Sequence, residues 1–379
     1  MRPQSKKNIA IVSDAIFPYN IGEKEKRIYE LSTRLARKGH KVTIYTMKWW
    51  KGKSMRVMHE GVAHEAISPL YPLYDGERRS IKEAILFGLH CFKLLNKKFD
   101  VIDIDHMPHL VLFPLKIVCL LKGREMIVTW NEVWGKAYWV TYMGKLGYIA
   151  YLVERTSVLL PNRFIAVSEH TATLLRKKLS VSQPIEVIPN GINIQSLKKI
   201  KPSAQPTELI YTGRLLKHKN VDRLVTAIAT LKKKYPNITC AIVGNGPEER
   251  NLKELAKKLK VEKNIRFFDF IPEYNDLYSM IKSAKVSVLP SSREGFGIAA
   301  IESHALGVPV VTYAYLNNAT KDLIREGENG YLFDDAEHPL DKVLGIALEK
   351  KLDRKAIIQS AKDYDWDHIA GKVERNYLS

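Results

Sequence analysis

Cysteine is scarce in this chain of 379 residues: Cys91, Cys119 and Cys240 stand far apart. No Cys-x-x-Cys pair occurs, which argues against a disulfide framework and against a zinc site, and fits a reducing compartment. Long apolar runs are missing too. The longest, residues 110–121, is broken by Pro114 and Lys116 and falls short of the roughly 20 residues that a membrane span needs. The opening MRPQSKKNIAIVSDAIF has basic residues, but its apolar stretch is too short for a secretory signal and reads as a first strand. No zinc-finger, KH or RRM signature is present, which sets nucleic acid aside as a partner. Gly244-x-Gly246 lacks the third glycine of a dinucleotide fingerprint and the Lys-Ser/Thr of a P-loop.

Positive charge is in excess, with a formal net charge of +19. Residues 1–200 hold 32 Lys and Arg against 17 Asp and Glu, and residues 201–379 hold 28 against 24. A basic first half predicts an acidic partner surface, and an anionic membrane is the expected one. The cationic, Tyr- and Leu-rich stretch 136–163 is its candidate contact, the alternative being that this stretch is core between strands.

The length predicts two domains, and 45% hydrophobic residues suffice for two packed cores. Strands are expected at 9–13, 41–46, 101–105, 126–130 and 164–167, with a helix over 23–38. Its Ile28, Leu31, Leu35 and Ala36 form one stripe before Gly39. After a run at 185–188 come Pro189-Asn190-Gly191 and a polar stretch with Pro202 and Pro206, the expected linker. Strands at 209–212, 241–243, 265–268, 286–289 and 308–312 then alternate with helices such as 221–234 and 248–260. The fold class is therefore α/β, two doubly wound Rossmann-like domains, each binding at the carboxyl ends of its strands and facing a central cleft.

The chemistry concentrates in residues 285–312, KVSVLPSSREGFGIAAIESHALGVPVVT, which read as strand, tight loop, helix and strand. Gly295 and Gly297 let the backbone approach a ligand, and the helix starting near Gly297 offers N–H groups that favour an anion such as phosphate. If both were helical, Glu294 and Glu302 would stand about 80° apart. Glu294 is accordingly placed in the loop and Glu302 in the second helical turn, flanking one ligand.

The segment EGFGIAAIE resembles the Glu-x7-Glu motif of retaining GT-B glycosyltransferases, family 4 in particular. That resemblance implies that Glu294 contacts the donor sugar and Glu302 the nucleotide ribose. It also implies that the backbone of Gly295, Phe296, Gly297 and Ile298 lies near the diphosphate. The similarity runs through most of the chain in matching order. It implies an acceptor-side domain over 1–195 with a crossover helix at 364–379, and a nucleotide-sugar domain over 196–363. Arg214 and Lys219, in TGRLLKHKN, resemble the pair that holds the diphosphate, where two fixed cations stabilise the leaving group without a metal. Gly244, Gly246 and Pro247 resemble a Gly-x-Gly-Pro segment on the nucleobase side.

Two positions depart from the family pattern. Gly22 stands where a glycine pair approaches the donor phosphates, but Glu23 replaces the second glycine and brings a negative charge. Asn131 replaces a His that contacts the donor sugar, and Asn cannot titrate near neutral pH. A front-face mechanism survives that change, because the leaving phosphate itself accepts the acceptor's proton. Asp103-Ile104-Asp105 invites a metal reading; with Arg214 and Lys219 available, these aspartates and His106 are read as strand-end residues on the acceptor side.

The expected activity is retaining, metal-independent transfer of a hexose from a nucleotide diphosphate-sugar to an acceptor, a lipid-linked or cell-envelope glycan, with no cofactor. Catalysis falls to Glu294, Arg214, Lys219 and Asn131. The expected place is the cytoplasm, peripheral at the cytoplasmic face of a membrane. The alternatives are a degenerate nucleotide-sugar-binding protein and a sugar-nucleotide epimerase of the same fold.

Overall fold

The computed structural model describes residues 6–76 and 78–379. They divide into two compact units, one running to Asn190 and completed by Trp366–Ser379, the other Gly191–Asp365. The divide falls earlier than 195/196 for a physical reason. Ile192 bridges to Asp365, and its N–H donates to the Tyr364 carbonyl at 2.7 Å, so the chain belongs to the second unit from Gly191 onward. The Pro202 and Pro206 stretch therefore lies inside that unit, where Lys282 and Ser279 donate to the carbonyls of Ile200 and Lys201.

The sheet of the first unit contains β1 (Asn8–Val12), β2 (Lys41–Met47), β3 (Arg56–His59) and β4 (Val62–Ser68), then β5 (Val101–Asp105), β6 (Met126–Trp130), β7 (Arg163–Ala166) and β8 (Ile185–Val187). Their order is β8-β7-β6-β5-β1-β2-β4-β3, and only β3 runs antiparallel to its neighbour. The chain begins in the middle, winds out to β3, and crosses back to β5. Right-handed crossovers then put the helices of the two halves on opposite sheet faces. On one face Leu31 and Leu35 of helix Glu23–Arg37 pack with Ile9, Ile11 and the Trp366, Ile369 and Val373 of helix Trp366–Leu378. On the other, Phe87, Leu115 and Val118 pack with Ile102, Ile104 and Val128. The alternation of β5 follows: Ile102 and Ile104 go to the second face, and Asp103 meets the C-terminal helix on the first.

The second unit is wound the same way. Its strands β9 (Thr207–Thr212), β10 (Cys240–Val243), β11 (Ile265–Phe268), β12 (Ala284–Leu289), β13 (Val310–Tyr313) and β14 (Gly330–Phe333) are all parallel, in the order β11-β10-β9-β12-β13-β14. Both faces are covered by helices, so its strands read as near-continuous apolar runs such as CAIV. The strand order reverses between β9 and β12 here and between β1 and β5 in the first unit. Crevices at such switch points, beyond the carboxyl ends of the strands, are where this architecture binds ligands.

Candidate functional site

In the second unit the loops after β9 and β12 meet at the switch point. Lys219 Nζ lies 2.6 Å from Glu294 Oε1, each side chain about one-fifth exposed. Burial pushes the Glu294 carboxyl up, but Lys219, a hydrogen bond from Ser291 and His218 outweigh it and hold the group below its ordinary value. Arg214 is exposed, and its carbonyl accepts from Tyr211 Oη at 2.9 Å, which fixes the turn. His218 sits among these groups. Burial first, then Arg293, Lys219 and Arg214, lower it to about 4 against the pull of Glu294, so it is neutral at pH 7. The loop is stitched at the backbone: the N–H and Oγ of Ser292 both donate to the His218 carbonyl, at 2.9 and 3.1 Å.

Glu294 lies in a two-residue strand, Arg293–Glu294, that pairs in parallel with Asn317–Asn318. Helix Ile298–Ala305 follows, with Gly297 as its N-cap at φ +100°. That angle belongs to the left-handed region, and a side chain there would collide with Thr320. Phe296 is buried with its ring 5.7 Å from Tyr364, which leaves its backbone rather than its side chain for a ligand. Gly295 and Ile298 are partly exposed. Glu302 is in the second turn of the helix, buried, and accepts from Tyr278 Oη at 2.7 Å. Gly244 has a structural role: a Cβ would strike the backbone of Gly213 on the neighbouring loop.

The first unit carries a second cluster of charges, at its own switch point. Lys24 Nζ bridges Asp14 of the loop after β1 (2.8 Å) and Asp105 at the end of β5 (2.7 Å). Burial raises the Asp105 carboxyl, but Lys24 and His106 more than reverse that and leave it well below the usual range. Arg79 pairs with Asp14 from the other side. Glu83, buried beside Arg79 at 3.7 Å, is pushed up to about 8 by burial and by Asp14. Asn131 Nδ2 donates to Asp105 Oδ1 at 2.9 Å, and Asp103 accepts from Thr129 and from Tyr377 of the C-terminal helix. Both aspartates, in the last three residues of β5, are buried and paired within the protein.

At the start of helix Glu23–Arg37, Gly22 is the N-cap and Glu23 is exposed. The Glu25 carboxylate folds back over Gly22. Asp14, Lys24, Arg79, His218, Arg293 and Tyr278 carry no motif of their own. Several of their partners, such as Asp14 for Arg79, Asp105 for Lys24 and Glu302 for Tyr278, stand far away in sequence, and the topology brings them together.

Comparison with known proteins comes out consistently for both units. The family model described as Glycosyl transferases group 1 matches residues 193–364, and that described as Glycosyltransferase Family 4 matches residues 25–196. An uncharacterized glycosyltransferase of Haemophilus influenzae is 33% identical over 171 residues, covering 45% of this chain and 47% of that protein. The chain spans about half the length of the curated relatives it matches. Among solved structures, sucrose-phosphate synthase of Thermosynechococcus elongatus is similar with a TM-score of 0.79 and 19% identity, covering 98% of both chains. Anabaena HepE, solved in complex with UDP-glucose, is similar with a TM-score of 0.69 and 16% identity, covering 98% of this chain and 99% of that one.

Proposed function

We propose, because this chain belongs to the group 1 and family 4 glycosyltransferases of GT-B fold, that it moves a sugar from a nucleotide diphosphate-sugar to an acceptor. The observation that carries the proposal is the Lys219–Glu294 pair at 2.6 Å at the switch point of the second unit, with Arg214 and Arg293 around His218 beside it. That HepE holds UDP-glucose supports a nucleotide-sugar donor on this fold.

In this reading the diphosphate lies against Arg214 and Lys219, which offset the charge that grows as the glycosidic bond breaks and leave no requirement for a metal. Glu294 is freed as Lys219 turns to phosphate, and grips the donor hexose. Glu302, steadied by Tyr278, takes the ribose. The helix terminus at Gly297 adds backbone N–H groups on the phosphate side. Transfer proceeds with retention, the departing phosphate oxygen accepting the acceptor's proton on the face where the new bond forms. Asn131, tied to Asp105 in the first unit, is a hydrogen-bonding residue and takes no proton near neutral pH. The acceptor is a lipid-linked or envelope glycan, met at the cytoplasmic face of a membrane. Cofactors play no part.

Arg214→Ala and Lys219→Ala should each weaken binding of a nucleoside diphosphate about tenfold or more, since charge-assisted hydrogen bonds contribute roughly 1.5–3 kcal/mol. Calorimetry with UDP, GDP and ADP reads the loss and identifies the base. Unchanged affinity in both variants overturns the donor site, and a strict need for added Mg²⁺ or Mn²⁺ overturns the metal-free transfer.

A further inference from the structure

Three helices on one face of the first unit's sheet turn large apolar residues to solvent. Helix Ile81–His90 buries Ala84 and Phe87 and turns Ile81, Ile85 and Leu89 to solvent, a stripe at i, i+4 and i+8. Helix Leu112–Lys122 buries Leu115 and Val118 and exposes Ile117, Leu120 and Leu121, the last two at 66% and 70%. Helix Gly147–Ser157 exposes Tyr148, Ile149 and Leu152. The first two helices pack on each other, and all three meet at the turn His109–Val111, so their outward stripes belong to one layer. Helices Glu23–Arg37 and Trp366–Leu378, on the opposite sheet face, carry none of the exposed large apolar residues. The second unit exposes only Phe270, Tyr315, Leu316 and Ile346 of that class among the described residues.

Charge on the same layer has one sign. The three helices contribute Lys82, Lys116, Lys122 and Arg155, while their two acidic residues, Glu83 and Glu154, are both buried. Glu154 is spent internally, accepting from the N–H groups of Trp134 and Gly135 and from Trp139 Nε1 at 2.8–2.9 Å. An exposed apolar layer of this extent marks an interaction surface. Its cationic character selects the partner: two copies of the face would repel each other, and an anionic bilayer would attract it. None of the described helices is long and apolar enough to cross a membrane.

We propose that this three-helix layer seats the first unit on an anionic bilayer, its helices in the plane of the interface with their apolar stripes below the headgroups. The contact is wider than the stretch 136–163 that composition suggested, because residues 81–90 and 112–122 supply most of its apolar surface. This rests on the lipid-linked acceptor of the proposed function and adds the face by which the protein reaches it.

Co-sedimentation of the full chain, without donor or acceptor, tests the idea with vesicles of phosphatidylcholine alone and of phosphatidylcholine mixed with phosphatidylglycerol. Binding is expected to the mixed vesicles, to fall with salt, and to be much weaker on phosphatidylcholine. Replacing exposed Leu120, Leu121, Ile149 and Leu152 together by Ser should lower it at least tenfold while leaving the thermal midpoint and nucleotide affinity unchanged. Lys82→Glu with Lys116→Glu should also cost at least tenfold, each basic residue near an anionic surface contributing about fivefold. Equal binding to both vesicle types at low salt overturns the proposal, as does a serine variant that binds like the wild type. So does a dimer in sedimentation velocity that the serine variant dissolves, if no vesicle binding accompanies it. Nucleotide affinity without vesicle binding removes this face alone; vesicle binding without nucleotide affinity removes the donor site alone.

Discussion

His218 shows how one side chain can report on a whole binding site. Unliganded, it is held near 4 by burial and by Arg293, Lys219 and Arg214. A diphosphate arriving among those cations would offset their field, so the His218 value should rise from about 4, with burial, the largest cause, still holding it below 6.5. Because the bound value lies above the free one, binding takes up a proton between them and none well above them. Affinity for a nucleotide diphosphate-sugar, whose diphosphate does not titrate in that range, should therefore increase as pH falls from 7 to 5. Calorimetry at pH 5.5 in buffers of different ionisation enthalpy should show uptake of a fraction of a proton. At pH 8 the two buffers should agree, and His218→Gln should abolish the difference. Buffer-independent heats for the wild type at pH 5.5 would sink the idea. The same field explains why this histidine was invisible in KHKN: a histidine between two lysines reads as solvated surface until Glu294 and Arg293, far along the chain, are brought beside it.

Individual elements were legible where periodicity and chemistry agree. Strands 101–105, 126–130 and 265–268 fall where apolar runs placed them, and the helix over 23–37 follows from its stripe. What escaped was structure whose pattern is overridden by its neighbours. β4 reads VAHEAIS, with His64 and Glu65 interrupting the run, yet six of its seven residues are buried: β2 and β3 flank its edges, and Val62 and Ala66 join the core on one sheet face and Ile67 on the other. β3, RVMH, is a half-exposed edge strand, and β14 is only four residues long. The loop before helix Ile298–Ala305 was legible in part. Its glycines pointed to a close backbone approach, but the constraint on Gly297 is set by Thr320 as well as by a ligand. Gly297→Ala should therefore lower stability in the absence of any nucleotide, by about 1–3 kcal/mol from the φ of +100° and the clash. Urea unfolding of the unliganded protein measures this. A variant as stable as the wild type would mean that the loop tolerates a side chain and that the glycine serves ligand approach alone.

At the scale of the whole molecule, the uneven charge was readable from composition and the two doubly wound sheets from alternation. The pairing of Lys24 with Asp14 and Asp105 was not, since it depends on which strands flank β1. Nor does composition show how firmly the C-terminal helix belongs to the first unit. Trp366 is fully buried there beside Ile369 and Val373, Tyr377 reaches Asp103, and Glu374 pairs with His40 at 3.0 Å. Trp366→Ala should cost about 3–5 kcal/mol and lower hydrogen-exchange protection in β1 and β5. Protection left at wild-type levels would show that the first unit holds together without this anchor.

That helix also sets an order of events during synthesis. Residues 191–365 form a unit that is whole as soon as it has left the ribosome, whereas the first unit, begun earlier, lacks one covering of its sheet until Trp366–Leu378 has been made. Of these two units, the one begun earlier is thus completed later. Until then the strip formed by Ile9, Ile11, Leu31 and Leu35 stands partly uncovered, a span in which the nascent chain depends on chaperones or on speed.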